Sequence, residues 1–134
     1  MQVVDTNIAA YLLLAGDKTS LAQKLHRRDP DWRSDTFLLI EFTNILATYV
    51  RTRRLTAAAA RLVLDSAETL LGSNLATTPN DEVLQLAHEF NISAYDARFI
   101  AIAKRHRLKL VTEDARLRAA AHAHTQSLAE ALGN

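Results

Sequence analysis

The chain contains no cysteine in its 134 residues. Disulfides, thiol nucleophiles and thiolate metal sites are therefore excluded, and a reducing, cytoplasmic setting is the expectation. Glycine is scarce as well. Three glycines are too few for a glycine-rich loop that cradles phosphates. The sequence also lacks an excess of either charge, with 16 Lys and Arg against 15 Asp and Glu and a net charge of +1. No global field draws it toward nucleic acid, so any such affinity has to come from local clustering. Long apolar runs are missing too, and nothing is long enough to span a bilayer. Residues 8–15 are apolar enough to resemble the core of a signal peptide, but no basic residue precedes them and Asp5 lies just upstream. They read as a buried helix, and no membrane partner is expected.

What is present is sufficient for one packed domain over residues 1–134, since 49% of the chain is apolar. Val3 and Val4 begin a short strand that stops at Asp5, and a helix follows to Leu14. A second helix starts near Thr19 or Ser20, buries Leu21, Ala22 and Leu25, and ends in His26, Arg27 and Arg28, cations suited to a helix C-terminus. A brief strand at 32–34 precedes a very apolar helix over about 35–54. Thr56 caps an Ala-rich helix to about Leu71, and residues 75–77 form a third strand. Another helix is capped by Asn80 or Asp81. From Ser93 a helix runs into the basic stretch 104–107, then a strand at 108–112, then a helical segment from Ala115 through the Ala/His-rich tail. Short strands alternating with longer helices imply an α/β fold: a small central parallel sheet with helices on both faces.

Four carboxylates stand out. Asp5 follows the first strand, Asp96 lies in the first turn of the helix opened by Ser93, Asp114 lies just past the strand at 108–112, and Glu41 sits inside the apolar helix. Each has a plain explanation. Asp5 and Asp114 are natural helix caps, worth roughly 1 kcal/mol each. Ser93 and Asp96 have the spacing of a capping box. Glu41 is mid-helix and cannot cap. Its neighbours Leu38, Leu39, Ile40 and Phe42 imply a largely buried helix, where a carboxylate needs a partner such as Arg33 or Arg98, or a metal ion.

The four together point further than any one of them. The C-terminal edges of parallel strands converge, and ligands bind there. Clustered carboxylates repel and raise one another's pKa. A hard divalent cation, Mg²⁺ or Mn²⁺, resolves that repulsion with oxygen ligands, phosphate oxygens and water. Thr6, Asn7 and Asn44 are placed to orient such a site, and Thr112 to hydrogen-bond near the strand end. Each of these is also explained by an ordinary helix-start, surface or strand role. Arg98 and Arg116 are candidates for phosphate contact, though solvated helix faces look the same. The five histidines are scattered; His122 and His124, two apart, would point in different directions on a helix.

The segments VVDTN at 3–7, IEFTNIL at 40–46, SAYDARFIAIA at 93–103 and LVTEDARL at 110–117 resemble those of PIN-domain ribonucleases. In size the chain is similar to the VapC toxins of bacterial toxin–antitoxin pairs. The resemblance covers nearly the whole chain, and its third segment is the most specific. It implies a three-layer α/β/α fold and a Mg²⁺- or Mn²⁺-dependent endoribonuclease. Asp5 and Asp96 would be the principal metal ligands, with Glu41 and Asp114 completing the pocket and positioning water. Thr6 and Thr112 fall on supporting hydroxyl positions, and Asn44 on a position near Glu41. The resemblance also implies an RNA substrate, a homodimer and a cognate VapB-type antitoxin. The sequence departs from the family pattern at the C-terminus, where residues 125–127 are barely long enough for the expected final strand.

Three other readings compete. A phosphoryl-transfer enzyme using Asp5 as nucleophile would want a second Asp two residues on, where Asn7 stands, and a late-strand lysine, whereas Lys109 begins its strand. A receiver-like signalling domain would need paired acids after the first strand. A non-catalytic protein-interaction module would use the same acids only as caps and ion partners, and would show no specific Mn²⁺ site.

Overall fold

Gln2–Val4 (β1) is the centre of the molecule, a strand buried from Val3 onward. The computed structural model describes residues 1–133, and its sheet has five strands, all parallel, in the order β3-β2-β1-β4-β5. Trp32–Asp35 (β2) and Leu75–Ala76 (β3) lie on one side of β1. Leu110–Val111 (β4) and Thr125–Gln126 (β5) lie on the other. Val3 pairs with Arg33 on one side and Leu110 on the other. The chain therefore builds outward from β1 in one direction, then returns to build in the other. The reversal falls between β1 and β4, which is the topological switch point where ligand crevices open in parallel sheets.

Helices flank this sheet. Thr6–Leu13 (α1) leaves the end of β1 directly, and Thr19–Arg28 (α2) packs on it. Phe37–Arg51 (α3) and Ala57–Leu71 (α4) form a helical hairpin. Asn80–Phe90 (α5) packs on Ala94–Arg105 (α6), and α6 lies against β1, β2 and β4. From Phe99 to Ala103 every residue of α6 is buried, the pattern of a helix enclosed on most of its circumference. The core runs through Val3, Val4, Trp32, Ile100, Leu110 and Val111. No helix among the described residues is long and apolar enough to cross a membrane.

The α/β class and the parallel sheet agree with the sequence pattern, but several elements differ in extent. The strand expected at 108–112 shrinks to β4. Arg107 adopts a left-handed φ of 57° and Leu108 N–H returns to the Ala103 carbonyl at 3.0 Å, so the helix exit consumes these residues. The continuous helical tail is not formed. Ala115–Ala120 (α7) ends early, and β5 follows a 3-10 turn at His122–His124. Leu128–Ala131 (α8) then starts at a capping box between Ser127 and Glu130. Thr112 N–H donates to Gln126 O at 2.9 Å, extending the β4–β5 pairing past the short strands. The doubtful final strand is thus present at Thr125–Gln126.

Candidate active site

Asp5 stands at the end of β1 as the N-cap of α1, its Oδ1 accepting the Ile8 N–H at 3.2 Å. Its own N–H donates to Val111 O at 3.3 Å, which joins the ends of β1 and β4 at the switch point. One strand further, Thr112 is fully buried, and its Oγ1 accepts the Asp114 N–H at 3.1 Å. Asp114 caps α7 through the Arg116 and Leu117 amides. The cap explanations for Asp5 and Asp114 therefore hold. They do not compete with a site, because a cap takes one oxygen and fixes the direction of the other.

Asp96 is three residues past Ser93, whose Oγ accepts the Asp96 N–H at 3.0 Å. This cap fixes the first turn of α6, and burial of the helix from Phe99 on fixes its rotation. Glu41 comes from α3. The expectation of a largely buried helix around it is corrected here: Ile40 is 64% exposed and Glu41 is half-buried. The arginine partner is absent too. Among the described residues Glu41 makes no ion pair; instead the Thr6 hydroxyl donates to its Oε1 at 2.5 Å. Residues 37, 40, 41, 44 and 45 share one helical face, so α3 presents Glu41 and Asn44 together.

Asp5, Glu41, Asp96 and Asp114 line a single cleft of about 480 Å³, with Thr6 and Asn44 among its walls. Among the described residues no Lys or Arg lines it. Burial and the neighbouring negative charges show in the acid strengths. Asp5, only 8% exposed, has its carboxyl pushed up to about 7. Burial is the largest cause; the Thr112 side chain and Ile8 amide pull down, and the negative charges of Asp96 and Glu41 push up. Asp96 is raised as well, first by burial and then by Asp114.

The donors fit a hard divalent cation in kind: carboxylate, hydroxyl and amide oxygens with uncompensated negative charge. Among the described residues no group of three His, Asp or Glu is already arranged to hold one.

The arginines divide. Arg98 Nη2 donates to Asn80 Oδ1 at 3.0 Å, and its charge bears on Asp35; it does not line the cleft. Arg116 lines an adjoining depression of about 490 Å³ that shares Asp96 and Asp114 with the first. Sequence reasoning missed the apolar lining, Phe37, Ile40, Ile45, Tyr95 and Phe99. Asp35, outside the cleft lining, is fully buried at the end of β2, with Oδ1 accepting the Phe37 N–H at 2.7 Å and Oδ2 without a partner among the described residues. The Phe37, Ile40, Glu41 spacing was the available signal for the lining.

The chain thus belongs to the class of α/β proteins with a parallel sheet and a carboxylate-lined cleft at the switch point. The family model described as PIN domain matches residues 3–123, and the chain belongs to that family. PIN domains are generally a metal-dependent nuclease fold. The crystal structure of PAE2754 from Pyrobaculum aerophilum is similar, with a TM-score of 0.77, 24% identity, and coverage of 99% of this chain and 97% of that one. At that identity the likeness speaks for the fold. No curated protein sequence matches the chain significantly.

Proposed function

We propose that this PIN domain is a Mg²⁺- or Mn²⁺-dependent endoribonuclease that hydrolyses RNA phosphodiesters. The observation that carries the reading is the cleft at the switch point of the sheet, lined by four carboxylates and, among the described residues, by no basic side chain. Asp5 and Asp96 would hold the ion, and Asp114 would complete the acidic wall. When bound, the cation supplies positive charge that polarises the phosphate and lowers the pKa of water. Glu41, held by the Thr6 hydroxyl, is directed into the cleft to orient the attacking water or accept its proton. Thr112 and the Ile8 amide keep Asp5 aimed. Arg116, in the adjoining depression that shares Asp96 and Asp114, would meet a flanking phosphate.

The resemblance to VapC toxins extends the proposal. The protein would act as the toxin of a toxin–antitoxin pair, as a homodimer, silenced by a VapB-type antitoxin. The test of the nuclease itself is cleavage of a mixed RNA pool in Mg²⁺ or Mn²⁺, with EDTA and Asp96→Asn as paired controls. Cleavage lost in both controls supports the reading; cleavage that survives Asp96→Asn removes Asp96 from the mechanism.

A non-catalytic interaction module with the same fold draws on two observations. Asp5 and Asp114 both work as caps, and no three acids are prearranged for a metal among the described residues. Mn²⁺ binding separates the two, since isolated caps hold no specific ion.

A further inference from the structure

One wall of the acidic cleft is aromatic. The rings of Phe37 and Tyr95 stack with centroids 5.0 Å apart and planes 10° from parallel. Phe37 also leans on Phe99, at 6.4 Å and 50°. Phe99 is 2% exposed, so the stack is anchored in the core, whereas Tyr95 is 61% exposed. Ile40, on the same wall, is also mostly exposed. Tyr95 precedes Asp96 in the first turn of α6, and Phe37 opens α3 one turn before Glu41. Two helices therefore fix the stack relative to the carboxylates.

A single exposed aromatic side chain needs no explanation. Here the exposed ring is held flat by a second ring and lies in the cleft that carries the acids. An acidic cleft repels the phosphates of a substrate unless a cation intervenes, so part of the grip on an RNA strand has to come from uncharged groups. Aromatic faces supply that grip to nucleobases, and they do so with little regard to sequence.

We propose that the Phe37–Tyr95 stack is a base-binding platform, with Tyr95 seating the nucleobase beside the phosphate that is cut and Ile40 bordering the seat. The proposal rests on the nuclease reading. Tyr95 acts in binding and takes no part in the bond-breaking step. Arg116 lines the adjoining depression that shares Asp96 and Asp114 with this cleft, so base and phosphate contacts would both lie next to the acids.

The test uses a single-stranded RNA dodecamer carrying one 2-aminopurine, whose fluorescence is quenched on stacking. It is titrated with wild type, Tyr95→Ala and Tyr95→Phe in Ca²⁺, a hard cation that takes the same oxygen ligands, and KM and kcat are then measured in Mn²⁺. Tyr95→Ala is expected to weaken binding and raise KM by about 5- to 150-fold, the range for loss of one stacked base. Tyr95→Phe is expected to bind and quench as wild type does. Equal affinity in Tyr95→Ala, while wild type still cuts, overturns the platform and leaves the nuclease reading intact. Equal loss in both variants assigns the effect to the hydroxyl and also overturns it. Altered sedimentation of Tyr95→Ala with unchanged RNA affinity makes this wall a contact between copies of the chain instead. A wild type that neither binds nor cuts RNA ends both proposals.

Discussion

Replacing Asp5 by Asn should make the metal-free protein more stable at neutral pH, although Asp5 is the residue most central to the cleft. Burial pushes its carboxyl from the ordinary 3.8 up to about 7. For an acid raised in the folded state, the native protein holds the proton more tightly than the unfolded chain. Stability then falls as pH rises between 3.8 and about 7, and the whole penalty is present above that window. At 1.36 kcal/mol per pH unit the penalty is about 2 kcal/mol at pH 5 and about 4 kcal/mol at pH 8. Asn keeps an Oδ1 that can accept the Ile8 N–H, so the α1 cap is retained. Urea denaturation of both proteins in EDTA should therefore show an advantage for Asp5→Asn that grows by about 2–3 kcal/mol from pH 5 to pH 8. In thermal melts that is of order 10 °C. Excess Mn²⁺ should reverse the order, because only the wild type gains from binding the ion. An advantage that is constant with pH, or a mutant less stable at both values, would refute the assignment of Asp5 as a buried, charge-strained carboxylate.

Other substitutions probe the remaining links. Thr6→Val removes the hydroxyl that holds Glu41, and RNA cleavage should drop about 10- to 100-fold, as for lost outer-shell partners, while the far-ultraviolet spectrum is unchanged. Ser93→Ala deletes the α6 cap; stability should fall by about 1 kcal/mol in urea, and cleavage should fall too because the cap sets the turn bearing Asp96. Ile100→Ala, at a fully buried position against the sheet, should cost about 2–5 kcal/mol, whereas Leu84→Ala, 68% exposed, should change stability by less than about 0.5 kcal/mol.

The parts of this molecule that were legible in the sequence are those set by local rules. The strand ending at Asp5, the Thr56 and Ser93 caps and the apolar stripe of α6 all follow from residue type and spacing. The four acids were legible because each stands at the end of a strand, in a first helical turn, or alone in an apolar stretch. Their common cleft required only that parallel strands converge. What was hidden depends on partners far away in the chain. The β4 and β5 strands are two residues each, too short for any alternation to register, and are defined by pairing with neighbours. The tail read as one helix because Ala is a strong helix former, yet pairing of Thr125 with Leu110 breaks it. Glu41 looked as if it needed an arginine or a metal because Leu38, Ile40 and Phe42 surround it in sequence. In the fold Ile40 faces out and Thr6, from another helix, supplies the hydrogen bond. The Phe37–Tyr95 stack joins residues 58 positions apart, which no periodicity reveals.

The central claim is that Asp5, Glu41, Asp96 and Asp114 act as one site for a divalent cation. Calorimetric titration of the metal-free protein with Mn²⁺, beside Asp5→Asn and Asp96→Asn, tests it most directly. Saturable binding in the wild type, lost in both variants while each remains folded, is the predicted result. Mn²⁺ binding that survives both substitutions, or no saturable binding in the wild type, would contradict it.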